Sequence, residues 1–218
     1  MPAALMGKDR EMSLNRRQIL KHGAVGATVV GCGGLFDRAS AAVALPKPPL
    51  LGNTTAPKRL VIWGSYTCPF TAKLCSILYN ILRDMPDAAS VEWHHFPTHP
   101  PDPALHVAGL GFTGNHFWGF TFKVLGAVFA AGGKFDGLTN EKLIEYAKAE
   151  GGSEETLKAA YADKAKWAAV KEDLLAGQLL GVTLTPGLFY NGYFMTPEGL
   201  PLNTDAFDKS LRAMLKTA

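Results

Sequence analysis

Cys68 is the residue best placed to do chemistry. It stands in Cys68-Pro69-Phe70-Thr71, between a short apolar run, Leu60-Val61-Ile62-Trp63, and a stretch with apolar residues at Leu74, Ile77, Leu78, Ile81 and Leu82. The run reads as a buried strand, the stretch has helical spacing, and Gly64-Ser65-Tyr66-Thr67 is the turn between them. Pro69 then falls in the first helical turn, where its missing N–H costs nothing. The pattern therefore predicts Cys68 at a helix N-terminus, facing unpaired N–H groups and the positive end of the dipole. Both favour a thiolate, which is the nucleophilic form.

The other cysteines do not complete a pair with it. Cys75 lies seven residues on, so on one helix the two Cα atoms would be about 10 Å apart at 1.5 Å rise per residue. A disulfide needs less than about 7 Å. Cys75 also falls among the apolar positions of the helix, beside Leu74 and one turn from Leu78, and is expected to be a buried, inert thiol. Histidines offer a weaker signal. His94 and His95 are consecutive on an expected strand and point to opposite faces. Asp102 and His106 stand four apart and would share a face if helical, but Pro100, Pro101 and Pro103 argue against a regular helix through Asp102. The five histidines of this region, His94, His95, His99, His106 and His116, are expected on the surface and in loops. No metal site and no cofactor is expected.

The elements that must position Cys68 follow in order. Met85-Pro86-Asp87 ends the first helix, and Val91 to Phe96 reads as a second strand closed by Pro97. From about residue 104 to 181 the character is helical. Asn115 to Ala131 is aromatic and amphipathic and reads as the core of this helical part, and Leu138-Thr139-Asn140 starts a helix to about Ala149. Ser153-Glu154-Glu155 caps another, and Ala165 to Leu180 is ended by Gly181. Thr183 to Tyr190 and Tyr193 to Met195 read as strands joined at Asn191-Gly192, a strong hairpin signal, and Asp205 to Lys216 closes the chain as a helix. Ala42 to Pro57 reads as an extended linker or edge segment.

Residues 1–41 read as a targeting segment outside the fold. Asn15-Arg16-Arg17-Gln18-Ile19-Leu20-Lys21 resembles a twin-arginine export signal, Ala24 to Phe36 is weakly apolar and glycine-rich, and Ala39-Ser40-Ala41 has the spacing of a signal-peptidase site. The apolar run is shorter than the roughly 18–20 residues of a membrane span. Val29-Val30-Gly31-Cys32 also resembles a lipoprotein cleavage box, whose use would leave Cys32 lipidated. The segment holds six of the 22 Lys and Arg and three of the 19 Asp and Glu, so the remainder of about 177 residues carries 16 of each sign. The basic charge thus belongs to the leader, nothing suggests nucleic-acid binding, and an exported, periplasmic location is expected.

The order β-α-β, helical block, β-β-α, with these residues, resembles the DsbA-type branch of the thioredoxin superfamily. The resemblance covers about Arg59 to Leu215. It rests on Cys68-Pro69, on His95-Phe96-Pro97 with His99-Pro100, and on Asn115-His116-Phe117-Trp118. Leu138-Thr139-Asn140-Glu141-Lys142-Leu143 and the most specific stretch, Gly181-Val182-Thr183-Leu184-Thr185-Pro186-Gly187, complete it. It implies an α/β fold, a thioredoxin fold with a helical domain inserted at about 104–181, the whole spanning 58–218. It also implies that Pro186 is cis and that Thr185 and Pro186 sit beside Cys68, where the exposed backbone pairs with a substrate peptide.

One departure from the family pattern bears on function. The family carries Cys-x-x-Cys, and the fourth position here is Thr71. A second thiol would release the substrate from the mixed disulfide, and Thr71 cannot. It can hydrogen-bond the Cys68 thiolate and help keep it charged. The site expected from sequence is therefore Cys68, Pro69, Phe70 and Thr71 for chemistry, with Thr185 and Pro186 for substrate. Two readings stand. One is a monothiol thiol–disulfide exchanger of the isomerase, reductase or deglutathionylase kind, acting on protein or peptide thiols and disulfides, with glutathione as an outside thiol. The other is a redox-inactive peptide-binding or chaperone-like protein on the same fold.

Overall fold

The computed structural model describes residues 47–135, 137–196, 199–200 and 203–216. Residues 1–46, which include Cys32 and the segment 1–41 expected to be an export signal, lie outside the described residues. Among the described residues the fold has five strands: β1 (Leu50–Gly52), β2 (Arg59–Gly64), β3 (Ser90–His95), β4 (Gly187–Tyr190) and β5 (Tyr193–Phe194). Its helices are α1 (Pro69–Asp84), α2 (Asp102–Gly109), α3 (Gly114–Ala130), α4 (Asn140–Ala149), α5 (Glu154–Ala162), α6 (Lys164–Leu179) and α7 (Thr204–Lys216).

The strands form one sheet in the order β1-β3-β2-β4-β5. β2 and β3 run parallel, in register from Arg59 opposite Ser90 to Gly64 opposite His95, and α1 is the crossover between them. β4 pairs antiparallel to β2 on its other side, with Trp63 opposite Gly187 and Leu60 opposite Tyr190. The central strand is buried on both faces, and its alternation assigns them. Leu60 and Ile62 join the large core with Leu74, Leu78 and Ile81 of α1 and Phe117, Phe120 and Val124 of α3. Trp63 and the partly buried Val61 face the opposite way, with Phe96, Val182, Phe189 and Leu174 of α6. Asp173 ties α6 to that face: its carbonyl accepts Trp63 Nε1 at 3.1 Å, and its carboxylate accepts the His95 N–H at 2.9 Å.

Local chemistry accounts for the boundaries. Pro69 occupies the start of α1, which buries Thr71, Ala72, Leu74, Cys75, Leu78, Ile81 and Leu82 on one side. Ser153 caps α5 in a capping box with Thr156. Asn191 and Gly192 both take positive φ, 48° and 83°, the pair a two-residue type I′ hairpin turn requires.

Three expectations need correction. Asp102 does begin a helix, α2, because Pro101 is its N-cap and Pro103 lies in its first turn, where no backbone donor is needed. Asp102 and His106 therefore share a face, and both are fully buried, as is His95, which is 2% exposed, whereas His99 and His116 are exposed. The strand expected from Thr183 begins only at Gly187, since Pro186 has no N–H to give to the ladder. The segment expected as a linker or edge segment supplies β1, an edge strand antiparallel to β3.

Candidate active site

β2 ends at Gly64, where a Cβ would run into the Trp93 ring. The close approach lets the chain turn over Trp93 into Ser65-Tyr66-Thr67. Cys68 then takes the N-cap position of α1, with extended backbone (φ −98°, ψ 116°) and its carbonyl accepting the Ala72 N–H at 3.2 Å. Its side chain makes no cap hydrogen bond of its own, so the sulfur projects from the helix start. Cys68 is partly exposed. Its Sγ lies 3.2 Å from the carbonyl oxygen of Thr185, to which the thiol donates.

The Thr185–Pro186 peptide bond is cis. The loop that carries it is fastened from the far side of the hairpin by Thr196, which is buried. Its hydroxyl donates to the Pro186 carbonyl at 2.9 Å and accepts the Leu188 N–H at 2.9 Å. Sequence reading missed Thr196. It lies two residues beyond the last strand, and a lone threonine there carries no pattern that marks it. Apolar side chains stand exposed close in the chain to both partners: Phe70, 45% exposed, lies two residues after Cys68, and Leu184, 52% exposed, directly precedes Thr185.

Thr71 is fully buried, and its Oγ1 accepts the N–H of Ser65 at 3.4 Å. Cys75 is buried as expected. Burial, with the charge of Cys68 as a smaller contribution, pushes its thiol well above the ordinary range and keeps it protonated. The structure thus brings Cys68, Thr185 and Pro186 together, sets Pro69 and Phe70 beside them, and turns Thr71 and Cys75 inward. Among the described residues no group of three or more His, Cys, Asp or Glu is arranged to hold a metal ion.

Beneath the turn lies a polar network that sequence reading did not find. Asp102 accepts Ser65 Oγ at 2.7 Å, the Tyr66 N–H at 3.0 Å, the Thr98 N–H at 2.9 Å and Thr67 Oγ1 at 3.3 Å. His106 Nε2 lies 3.3 Å from Asp102 Oδ1, and His106 Nδ1 lies 2.8 Å from His95 Nδ1. Trp93 Nε1 donates to that same His95 nitrogen at 3.2 Å. Burial alone would raise the Asp102 carboxyl, but the charge of His106 and the hydrogen bonds from His106, Ser65 and Thr98 outweigh it and hold the group below its ordinary value. Burial, with the charges of His106 and His94 added, drives His95 well below the usual imidazole range, so its ring is neutral.

Comparison with known proteins agrees with this architecture. The chain is similar to the protein-disulfide isomerase from Novosphingobium aromaticivorans (18% identity, TM-score 0.63, covering 79% of this chain and 100% of that one). It is similar to oxidised BdbD from Bacillus subtilis (21% identity, TM-score 0.61, covering 78% and 94%). A periplasmic thioredoxin-like protein from Salmonella enterica serovar Typhimurium is also similar (19% identity, TM-score 0.59, covering 78% and 91%). At these identities the likeness establishes the fold. No curated protein matches the chain. The model of the family described as Thioredoxin matches residues 44–212, most of the chain, which therefore belongs to the thioredoxin family.

Proposed function

We propose that the protein is a monothiol thiol–disulfide exchanger. The Cys68 thiolate attacks one sulfur of a protein or peptide disulfide. A Cys68–substrate S–S bond forms, the substrate S–S bond breaks, and the other substrate sulfur leaves as a thiolate that takes up a proton. Cys68 is oxidised and the leaving sulfur reduced. An outside thiol, glutathione or a second cysteine of the substrate, then attacks the mixed disulfide and returns Cys68 to its reduced form. Isomerisation and deglutathionylation both fit this cycle, because neither needs a resolving cysteine in the enzyme.

The observation that carries the reading is the placement of the Cys68 sulfur, partly exposed at a helix start and 3.2 Å from the Thr185 carbonyl, with no second sulfur in reach among the described residues. The exposed Phe70 and Leu184, near Cys68 and Thr185 in the chain, suit a substrate with apolar side chains, as an unfolded polypeptide presents. Among the described residues no helix is long and apolar enough to cross a membrane. With the twin-arginine-like leader, this reading places the working protein in the periplasm after export. The test is to incubate the protein lacking residues 1–41 with oxidised glutathione and with a scrambled-disulfide substrate. Rapid mixed-disulfide formation at Cys68, lost in Cys68→Ser, together with substrate rearrangement is the expected result. Peptide binding that survives Cys68→Ser, with no mixed disulfide, would replace this reading by the redox-inactive peptide-binding one.

A further inference from the structure

We propose that Asp102, paired with His106, is the positioning residue for Cys68: the carboxylate clamps the Ser65–Thr67 turn to the Thr98 loop and so holds the sulfur against Thr185. The proposal rests on the reading of Cys68 as the reactive sulfur.

Four donors from two separate segments converge on one fully buried carboxylate. Three come from the residues that lead directly into Cys68, and the fourth, the Thr98 N–H, comes from the loop after β3. An ionised carboxylate is an acceptor only, with room for about four hydrogens, and each such bond is charge-assisted. The arrangement is saturated: Ser65 Oγ lies 2.9 Å from Thr67 Oγ1 and 3.0 Å from Thr98 Oγ1. The Cys68 N–H closes the turn on the Ser65 carbonyl at 3.3 Å. Moving the carboxylate therefore moves the residues that aim the sulfur.

A buried charge this size needs a partner, and hydrogen-bond bookkeeping supplies it. The Trp93 indole can only donate, so His95 Nδ1 presents its lone pair and His106 Nδ1 carries the hydrogen between the two rings. The other nitrogen of His106 faces the Asp102 carboxylate. His106 thus stands between His95 and Asp102, and its ring is the group that faces the buried carboxylate at ion-pair distance. The groups facing this pair are His95 and Trp93 of β3, Thr98 of the following loop, and the turn residues Ser65, Tyr66 and Thr67. The Tyr66 ring packs 4.7 Å from that of His106, and its hydroxyl is taken up by Thr121 of α3 at 2.8 Å.

The experiment measures the rate at which Cys68 forms a mixed disulfide with oxidised glutathione between about pH 5 and 9. It compares the wild-type protein, Asp102→Asn, and Leu78→Ala as a destabilised variant outside the site. Asparagine keeps the shape but turns a donor toward the Tyr66 or Thr98 N–H, so the turn loosens and the sulfur drifts from the helix start. The expected result is a tenfold or greater loss of rate with the midpoint of the pH profile moved upward, while Leu78→Ala keeps the wild-type midpoint. An Asp102→Asn protein whose rate stays within twofold of wild type, with an unmoved midpoint, overturns the proposal. If that variant does not fold, Ser65→Ala decides. It removes one donor, so a threefold or greater loss supports the clamp and an unchanged rate overturns it. A wild-type Cys68 that reacts no faster than N-acetylcysteine overturns the exchange reading itself, and the positioning role with it.

Discussion

The Thr71 hydroxyl accepts the N–H of Ser65 at 3.4 Å, so the residue in the fourth position of the Cys68 motif faces the interior. Its methyl group belongs to the core side of α1, close to where Gly64 meets Trp93. The sulfur of Cys68 lies 3.2 Å from the Thr185 carbonyl. Thr71 works as a buried link between the helix start and the end of β2, and that position stands one helical turn from the sulfur.

Thr71→Cys is therefore expected to make a dithiol. Residues three apart on a helix have Cα atoms about 5 Å apart, within disulfide range. The variant should form an internal disulfide between Cys68 and the introduced thiol under mild oxidation. It should also gain the ability to oxidise a reduced peptide, which the wild-type protein should lack. Thiol counting before and after oxidation, with mass analysis of the bridged peptide, checks the first part. Transfer of oxidising equivalents to a dithiol peptide checks the second.

Cys75 gives the opposite expectation. It is 2% exposed and protonated, so it takes no part in exchange. Cys75→Ala should leave the rate of mixed-disulfide formation at Cys68 within twofold of wild type and lower stability by about 1 kcal/mol through the lost sulfur packing. Cys75→Ser should be worse, by about 1–3 kcal/mol, because it buries a hydroxyl. Denaturant unfolding and the glutathione reaction, measured on both variants, separate the two effects.

Thr196 fastens the loop that faces the sulfur. Thr196→Val keeps its shape but leaves the Leu188 N–H and the Pro186 carbonyl without this partner. A stability loss of about 1–3 kcal/mol is expected, as for any buried donor stripped of its acceptor. Exchange with a peptide disulfide should slow more than exchange with glutathione, since the loop contributes to the peptide surface. Comparing the two rates in one preparation tests this directly.

Much of the site was legible in the sequence, because the signals are local. Cys68-Pro69 marks a helix start by itself, and Asn191-Gly192 marks a hairpin. The period-two alternation puts His94 and His95 on opposite faces, and the structure has His94 stacked on Trp63 at 4.4 Å while His95 meets His106. What was not legible depends on partners far apart in the chain. Three prolines around Asp102 look like a break, and only the helix formed there shows that two of them fall where no N–H is required. The burial of His95 and His106 follows from pairing across eleven residues between a strand and a helix, and composition sends such residues to the surface. The clamp on the turn joins Ser65 to Asp102, 37 residues on. The resemblance to DsbA-type proteins located Thr185 opposite Cys68, but it said nothing about Asp102.

The last prediction concerns His94, which sits between two carboxylates, with Nδ1 2.8 Å from Asp173 and Nε2 2.8 Å from Glu92. Burial disfavours the charged ring, but the hydrogen bonds and charges of Asp173 and Glu92 outweigh it and raise its pKa to about 9 from an ordinary value of 6.5. The folded state therefore holds this proton more tightly than the unfolded chain. The stability it contributes is fully present below about pH 6.5 and is lost as the pH rises toward about 9. The contribution is on the order of 2 kcal/mol, discounted for the partial exposure of the ring. Because His94 bridges β3 to Asp173 of α6, the loss should appear as weaker docking of α6 on the sheet. Urea unfolding at pH 6 and pH 9 should show a decline in the wild-type protein that His94→Gln largely removes. The same decline in both proteins would mean that another group carries the pH dependence.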